Sequence, residues 1–165
     1  MRYDQEKAER AVKFIEKYCS HVKGDLGGKP FLLEEWQKND IIRPLFGTLR
    51  DDGKRQYRTA YIEIPRKNGK SNLCAAIALY MLCADGEQGA EIISAAGDRN
   101  QARIVFEIAQ AMVHQNNTLD RKCKVLRDRI TYANNFYKAI SAEANTKHGF
   151  NCHAVIFDEL HSSKN

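Results

Sequence analysis

The chain has 165 residues, a length that suits one domain, and its 43% hydrophobic content is enough to bury a core. Its formal charge of +5 permits an anionic partner such as nucleic acid, yet is small enough for an ordinary solvated surface. The charged start Met1-Arg2-Tyr3-Asp4 argues against a signal peptide, and the longest apolar stretch, residues 73–84, is too short to cross a bilayer.

The first predicted element is an amphipathic helix over 4–22, with Ala8, Ala11, Val12, Ile15, Tyr18, Cys19 and Val22 at helical spacing. Gly24, Gly27, Gly28 and Pro30 break it. A second helix is predicted over 33–46, stopping near Gly47, with Trp36 read as a core residue. Asp51-Asp52-Gly53 is a turn signal. Tyr57 to Ile64 alternates and is rich in β-formers, so it is predicted as the first core strand. Lys70 to Ala84 is apolar on nearly every side, the pattern of a buried helix. Glu91 to Ala95 follows as a short strand. Asp98 then caps a helix with Gln101 as its capping-box partner and Ala102, Val105, Ile108, Ala109 and Met112 on one face. Lys124 to Ile140 alternates weakly and reads as short strands or a hairpin around Ala133-Asn134-Asn135. His153 to Asp158 reads as a buried strand. This alternation implies an α/β fold, a parallel sheet flanked by helices. Five cysteines, at 19, 74, 83, 123 and 152, form no Cys-x-x-Cys pair, so a reduced, cytoplasmic protein is expected.

Two segments about ninety residues apart carry chemistry. Ile64-Pro65-Arg66-Lys67-Asn68-Gly69-Lys70-Ser71 ends in the Gly-Lys-Ser of a phosphate-binding loop, with Ile64 at the place of the usual first glycine. Backbone N–H groups of such a loop cradle a triphosphate, the lysine reaches the β- and γ-phosphates, and the serine hydroxyl meets magnesium. The following helix adds the partial positive charge of its N-terminus. Arg66 and Lys67 place further cations near the phosphates, where Arg66 could neutralise charge developing in phosphoryl transfer. The second segment, Ala154-Val155-Ile156-Phe157-Asp158-Glu159, is an apolar strand ending in two carboxylates. Asp158 suits a magnesium ligand, and Glu159 suits the base that polarises the attacking water. Upstream, Gln37 offers an amide that matches the adenine edge. His148, Cys152, His153 and His161 fit no zinc spacing, and Cys152 and His153 should point to opposite faces of a strand.

Together these segments resemble the N-terminal part of a tailed-phage terminase large subunit. Pro30-Phe31 with Leu33, Trp36 and Gln37, then Leu45-Phe46-Gly47, resembles the adenine-recognition segment of that family. Residues 64–71 resemble its variant phosphate loop, which often lacks the first glycine and carries an arginine at the place of Arg66. Ser94-Ala95-Ala96 with Gln101-Ala102, Ser141-Ala142-Glu143-Ala144, Gly149-Phe150-Asn151 and residues 155–161 complete the likeness, which spans about 30–161.

The resemblance implies a P-loop NTPase fold of the ASCE type, incomplete at its C-terminus. Residues 1–29 would be an N-terminal helix and linker, and 30–165 the N-terminal part of the ATPase domain, with no nuclease domain. It implies ATP and Mg2+ as cofactors, double-stranded DNA, a portal protein and a small terminase subunit as partners, and a homo-oligomeric ring. ATP would be bound by Gln37, Arg66, Lys67, Asn68, Gly69, Lys70 and Ser71, and magnesium by Ser71 and Asp158. Glu159, Arg66 and Lys70 would be catalytic, and Lys147 is a possible finger acting on a neighbour's site. Two other readings remain open: a non-catalytic nucleotide-binding remnant, and a superfamily-2 helicase lobe, to which Asp158-Glu159-Leu160-His161 is similar.

Overall fold

The computed structural model describes residues 1–141 and 151–158. Strand β1 (Arg2–Tyr3) leads into helix α1 (Gln5–Tyr18), whose cap is Asp4; its side chain accepts from the Lys7 N–H at 3.0 Å. The helix buries Ala8, Ala11, Val12, Phe14 and Ile15, the stripe its periodicity predicts, and ends four residues before the predicted limit. The predicted second helix is more irregular. Gln37–Ile42 forms π-helical turns, closed by the bond from Arg43 N–H to the Lys38 carbonyl, before α2 (Arg43–Gly47) and β2 (Thr48–Leu49). Pro44 cannot donate and its ring crowds the carbonyl four residues back, so the wider turn ends where the proline begins. Gly47 closes the packing of α2 on α1. A Cβ there would lie 2.7 Å from the Ala8 Cβ and 2.7 Å from the Tyr3 ring. Trp36 is only half-buried and bonds Glu34 through its ring N–H, so it is not the core residue its size suggests.

The largest correction concerns Tyr57–Ile64, which forms no strand. Its β-formers alternate, but neither side of the segment is well buried, and Tyr61 is 73% exposed. Propensity of this kind describes fit to a pleated, half-buried surface, and among the described residues no strand pairs with this segment. The stretch runs unpaired into the phosphate-loop sequence.

The main sheet has the order β4-β5-β6-β3-β7. Its parallel half is β6 (Asn135–Ser141), β3 (Glu91–Ala96) and β7 (Ala154–Phe157), in register Ala95↔Phe157 and Ala96↔Ser141. The antiparallel half adds β4 (Cys123–Val125) and β5 (Arg129–Tyr132). Helices α3 (Lys70–Cys83) and α4 (Arg99–Gln115) pack on one face, with short α5 (Asn117–Lys122) leading into β4. Helix α3 is buried from Leu73 through Leu82 apart from Cys74, because α1 and α4 flank it while it also meets the sheet. The rings of Phe14 and Phe46 lie 5.6 and 4.8 Å from Tyr80 and join the N-terminal helices to that core. On the sheet, Tyr137 is fully buried, 5.2 Å from Phe106 of α4, and its hydroxyl bonds Ser94.

Among the described residues strand β7 lies at the edge of the sheet, and it is not the buried strand predicted. Ala154 and Ile156 face the helices, whereas Val155 and Phe157 lie on the other face and are 39% and 44% exposed. The β5–β6 hairpin turns through Ala133 and Asn134, as predicted, with Ala133 at φ 51.

Two polar devices hold the end of the sheet remote from the loop. The Asn135 amide donates to the Leu82 carbonyl at 2.9 Å and accepts from the Ala90 N–H at 2.8 Å, so one side chain satisfies a backbone group at the end of α3 and another just before β3. Asn135→Ala strands both, and is expected to lower stability by about 2–3 kcal/mol. A urea midpoint equal to that of the parent would reject this role. The second device is Asp85, whose carboxylate accepts from Arg55 Nη1 at 2.5 Å and His153 Nε2 at 2.6 Å. Burial pushes Asp85 up, but the His153 bond and Arg55 outweigh it and hold the carboxyl below its ordinary range. A depressed folded value stabilises at pH above the unfolded pKa, and that stability is lost as pH falls through the folded pKa. Asp85→Asn is therefore expected to cost about 1–3 kcal/mol at pH 7 and to flatten the acid limb of the stability profile. An acid limb identical to the parent's would remove Asp85 from it.

Candidate nucleotide site

The site is assembled at the C-terminal ends of the parallel strands, from the N-terminus of α3 and the end of β7. The loop before α3 is shaped by two residues in the left-handed region, Lys67 at φ 65 and Gly69 at φ 73. Asn68 Nδ2 donates to the Pro65 carbonyl at 3.0 Å and the Arg66 carbonyl at 3.2 Å, which closes the turn from within. Gly69 is the N-cap of α3 and supplies no side-chain bond. The first-turn N–H groups of α3 are thus not capped by a side chain, and they carry the positive end of the helix dipole. No heavy atom lies within 4 Å of where a Gly69 Cβ would sit, so the glycine is needed here for its φ, not for lack of space.

Asp158 joins this helix end to the sheet. It is 7% exposed, just past the last residue of β7. The Ser71 hydroxyl donates to its Oδ2 at 3.1 Å, and Lys70 Nζ stands 3.3 Å from its Oδ1. That second contact is an ion pair without hydrogen-bond geometry, since Oδ1 is buried and accepts no bond. A hydroxyl and a carboxylate oxygen side by side, one of them an unfilled buried acceptor, form the hard-oxygen donor set that a magnesium ion takes. The residues present therefore fit the cation that the phosphate-loop reading requires.

The structure brings Lys70, Ser71 and Asp158 together across 87 residues of sequence in the Ser71–Asp158 case. Asn68 and Gly69 shape the loop that precedes them, and Arg66 and Lys67 lie exposed on it. Gln37 is placed differently. It is 4% exposed, and its side-chain oxygen accepts from the Glu34 N–H at 2.8 Å, a bond that starts its own helix. No hydrogen bond among the described residues ties it to the loop. Glu159 and Lys147 lie outside the described residues, as do His148 and His161. His153 is tied to Asp85, and all five cysteines are free. Sequence reading missed Cys74, which sits on α3 beside the pair. Burial first, and then the Asp158 carboxylate, push its thiol up to about 12, so it stays protonated near Asp158. Its only sequence signal is its place one turn beyond Lys70.

Comparison with known proteins gives a consistent picture. The family model described as terminase large subunit, ATPase domain, matches residues 35–165. The terminase large subunit of Enterobacteria phage HK97 is 34% identical over 158 residues, covering 93% of this chain and 30% of that protein. The crystal structure of the HK97 bacteriophage large terminase superposes with a TM-score of 0.78 at 34% identity, covering 93% of this chain and 31% of that one. This chain therefore spans less than a third of the length of the relatives it matches. No helix among the described residues is long and apolar enough to cross a membrane. With a matched model over most of its length and Lys70 and Ser71 set against the Asp158 carboxylate, the chain belongs to the terminase large subunit ATPase-domain family.

Proposed function

We propose that the chain is the ATP-hydrolysing part of a viral DNA-packaging motor, which drives double-stranded DNA into a procapsid in the host cytoplasm. The partners proposed with it are a portal protein, a small terminase subunit and further copies of itself in a ring. The observation that carries this reading is the convergence of Lys70 and Ser71 on the buried Asp158 carboxylate. Lys70 binds the β- and γ-phosphates, and the N–H groups at the start of α3 bind the phosphate oxygens between them. Ser71 and Asp158 would hold magnesium, which supplies charge neutralisation to the triphosphate when bound. Glu159, next in sequence to Asp158, is proposed to accept the proton of the attacking water. The adenine contact assigned to Gln37 requires its amide to leave Glu34 or to use its N–H2 side, which donates to no described residue.

The test is release of phosphate from ATP with magnesium, measured beside nucleotide binding. Binding with no release, even with DNA and portal present, would make the chain a binding module. Absence of binding would sink the reading. Arg66 refines it. Arg66→Ala is expected to lower turnover about 100-fold while changing ATP affinity by about threefold or less, because a charge used mainly in the transition state weighs on the chemical step. Equal losses in both quantities would make Arg66 a simple binding residue.

A further inference from the structure

The positive charge of this chain is concentrated. Residues 99–138 hold eight lysines and arginines against three acids, which equals the whole formal charge of +5, so the remainder of the chain is balanced. Strand register gathers much of that charge on one surface. Lys124 pairs across from Thr131, Thr131 from Phe136, and Arg129 from Lys138, so all five side chains share one face of the sheet. The opposite face carries Ile130 and Tyr137, both fully buried, with Tyr137 against Phe106 of α4. The cations therefore lie on the face turned away from the helices.

The surface is ordered from beneath and beside. The Arg129 guanidinium and the Lys138 ammonium stand over the Phe136 ring, 5.8 and 5.4 Å from its centroid, so one aromatic ring gathers both charged heads on this face. Arg127 stands in the β4–β5 turn at the rim of this face, where the turn's backbone accepts from two α4 side chains, Gln110 Nε2 to the Leu126 carbonyl at 2.8 Å and Arg103 Nη2 to the Arg127 carbonyl at 3.4 Å. Lys124 and Arg127 are exposed and make no ion pair with a described residue. The acids close by are Asp128, 3.8 Å from Arg129, and Glu91, across from Phe136. Because β6 runs parallel to β3 and β7, this turn lies at the same end of the sheet as Asp158, about 15 Å across the strands.

We propose that this outer face of β4–β6, through Lys124, Arg127, Arg129 and Lys138, is a contact surface for the phosphate backbone of duplex DNA. The choice of DNA as occupant rests on the packaging-motor reading. Duplex DNA offers one phosphate charge for about 1.7 Å of axis, so a face about 10 Å across meets several at once. The face offers point charges on a flat sheet and no helix or amide row to enter a groove. It grips phosphates and reads no bases, so its binding is independent of sequence.

The experiment is fluorescence anisotropy of the 165-residue chain with a labelled duplex of about 30 base pairs and arbitrary sequence, over about 50–300 mM salt. The combined variant Lys124→Ala, Arg127→Ala, Arg129→Ala, Lys138→Ala is expected to bind about 30-fold more weakly or worse, with the slope of log K against log salt reduced by about three to four. The α1 control Arg10→Ala, Lys13→Ala, Lys17→Ala should bind within about twofold of the parent. Arg127→Lys with Arg129→Lys should keep the parent slope, since a point charge suffices for a phosphate. Should the combined variant not fold, Lys124→Ala alone decides, with an expected slope change of about one. The proposal is overturned by no parent binding at low salt, by an unchanged slope, by equal losses in the α1 control, or by polyglutamate displacing the duplex at equal charge, which would make the face a protein contact. ATP binding on the same samples separates the two readings. Intact nucleotide binding with no DNA effect sinks this surface alone, and a parent that binds no nucleotide sinks the motor reading whatever the DNA result.

Discussion

Lys70→Ala is expected to reduce ATP turnover by about 100- to 1000-fold or more, the usual cost of removing a donor aimed at developing charge. Lys70 is the first residue of α3 and stands outside the buried hydrophobic cluster, so the change leaves that core intact. It does remove the cation 3.3 Å from the buried Asp158 Oδ1, leaving that carboxylate with Ser71. The variant should therefore fold with a melting point a few degrees lower and bind triphosphate weakly. Circular dichroism would check the fold, and phosphate release in single-turnover conditions would check the chemistry. Parent-like turnover would reject the phosphate-loop assignment outright.

Asp158→Asn and Glu159→Gln should fail in different ways. Asp158 is the buried acceptor at the loop, so the amide loses a hard anionic oxygen. With magnesium present, its nucleotide affinity should fall by about 10- to 100-fold. In the presence of a chelator the order should reverse or vanish, because the amide no longer repels the triphosphate. Glu159→Gln should bind magnesium–ATP like the parent and lose hydrolysis, since size is kept and the base is lost. Calorimetric titration of both variants, with and without magnesium, makes the comparison. Identical behaviour would contradict the separate roles.

Local signals made much of this fold legible. The Asp98 side chain accepts from the Gln101 N–H at 2.9 Å, and α4 begins at the next residue, because a cap is a contact between neighbours. Helix α3 ends within a residue of its predicted limit, because its apolar run is unbroken to Ala84. The hairpin at Ala133-Asn134 was readable for the same reason. Tyr57–Ile64 was misread because a strand is a relation between two segments, and alternation describes only one of them. Val155 and Phe157 were misjudged similarly: an apolar run shows that a strand is oily, not that both its faces are covered. The site divides along the same line. The Gly-Lys-Ser sequence announced Lys70 and Ser71, and the Asp-Glu pair announced Asp158, because each motif is contiguous. Arg55, Asp85 and His153 come from three distant segments, and nothing in any one of them signals the other two.

Strand β7 has β3 on one side and no described partner on the other. Its backbone on that bare side still carries donors and acceptors in a row, beside the oily outer surface of Val155 and Phe157. Such a margin is a template to which a further strand can add. The same margin gives β7 leverage. A second ladder laid along it would stiffen the strand, and Asp158, sitting at its tip, would lose freedom with it. On the proposed nucleotide reading, the Asp158 carboxylate is then adjustable from the margin of the sheet that has no described partner.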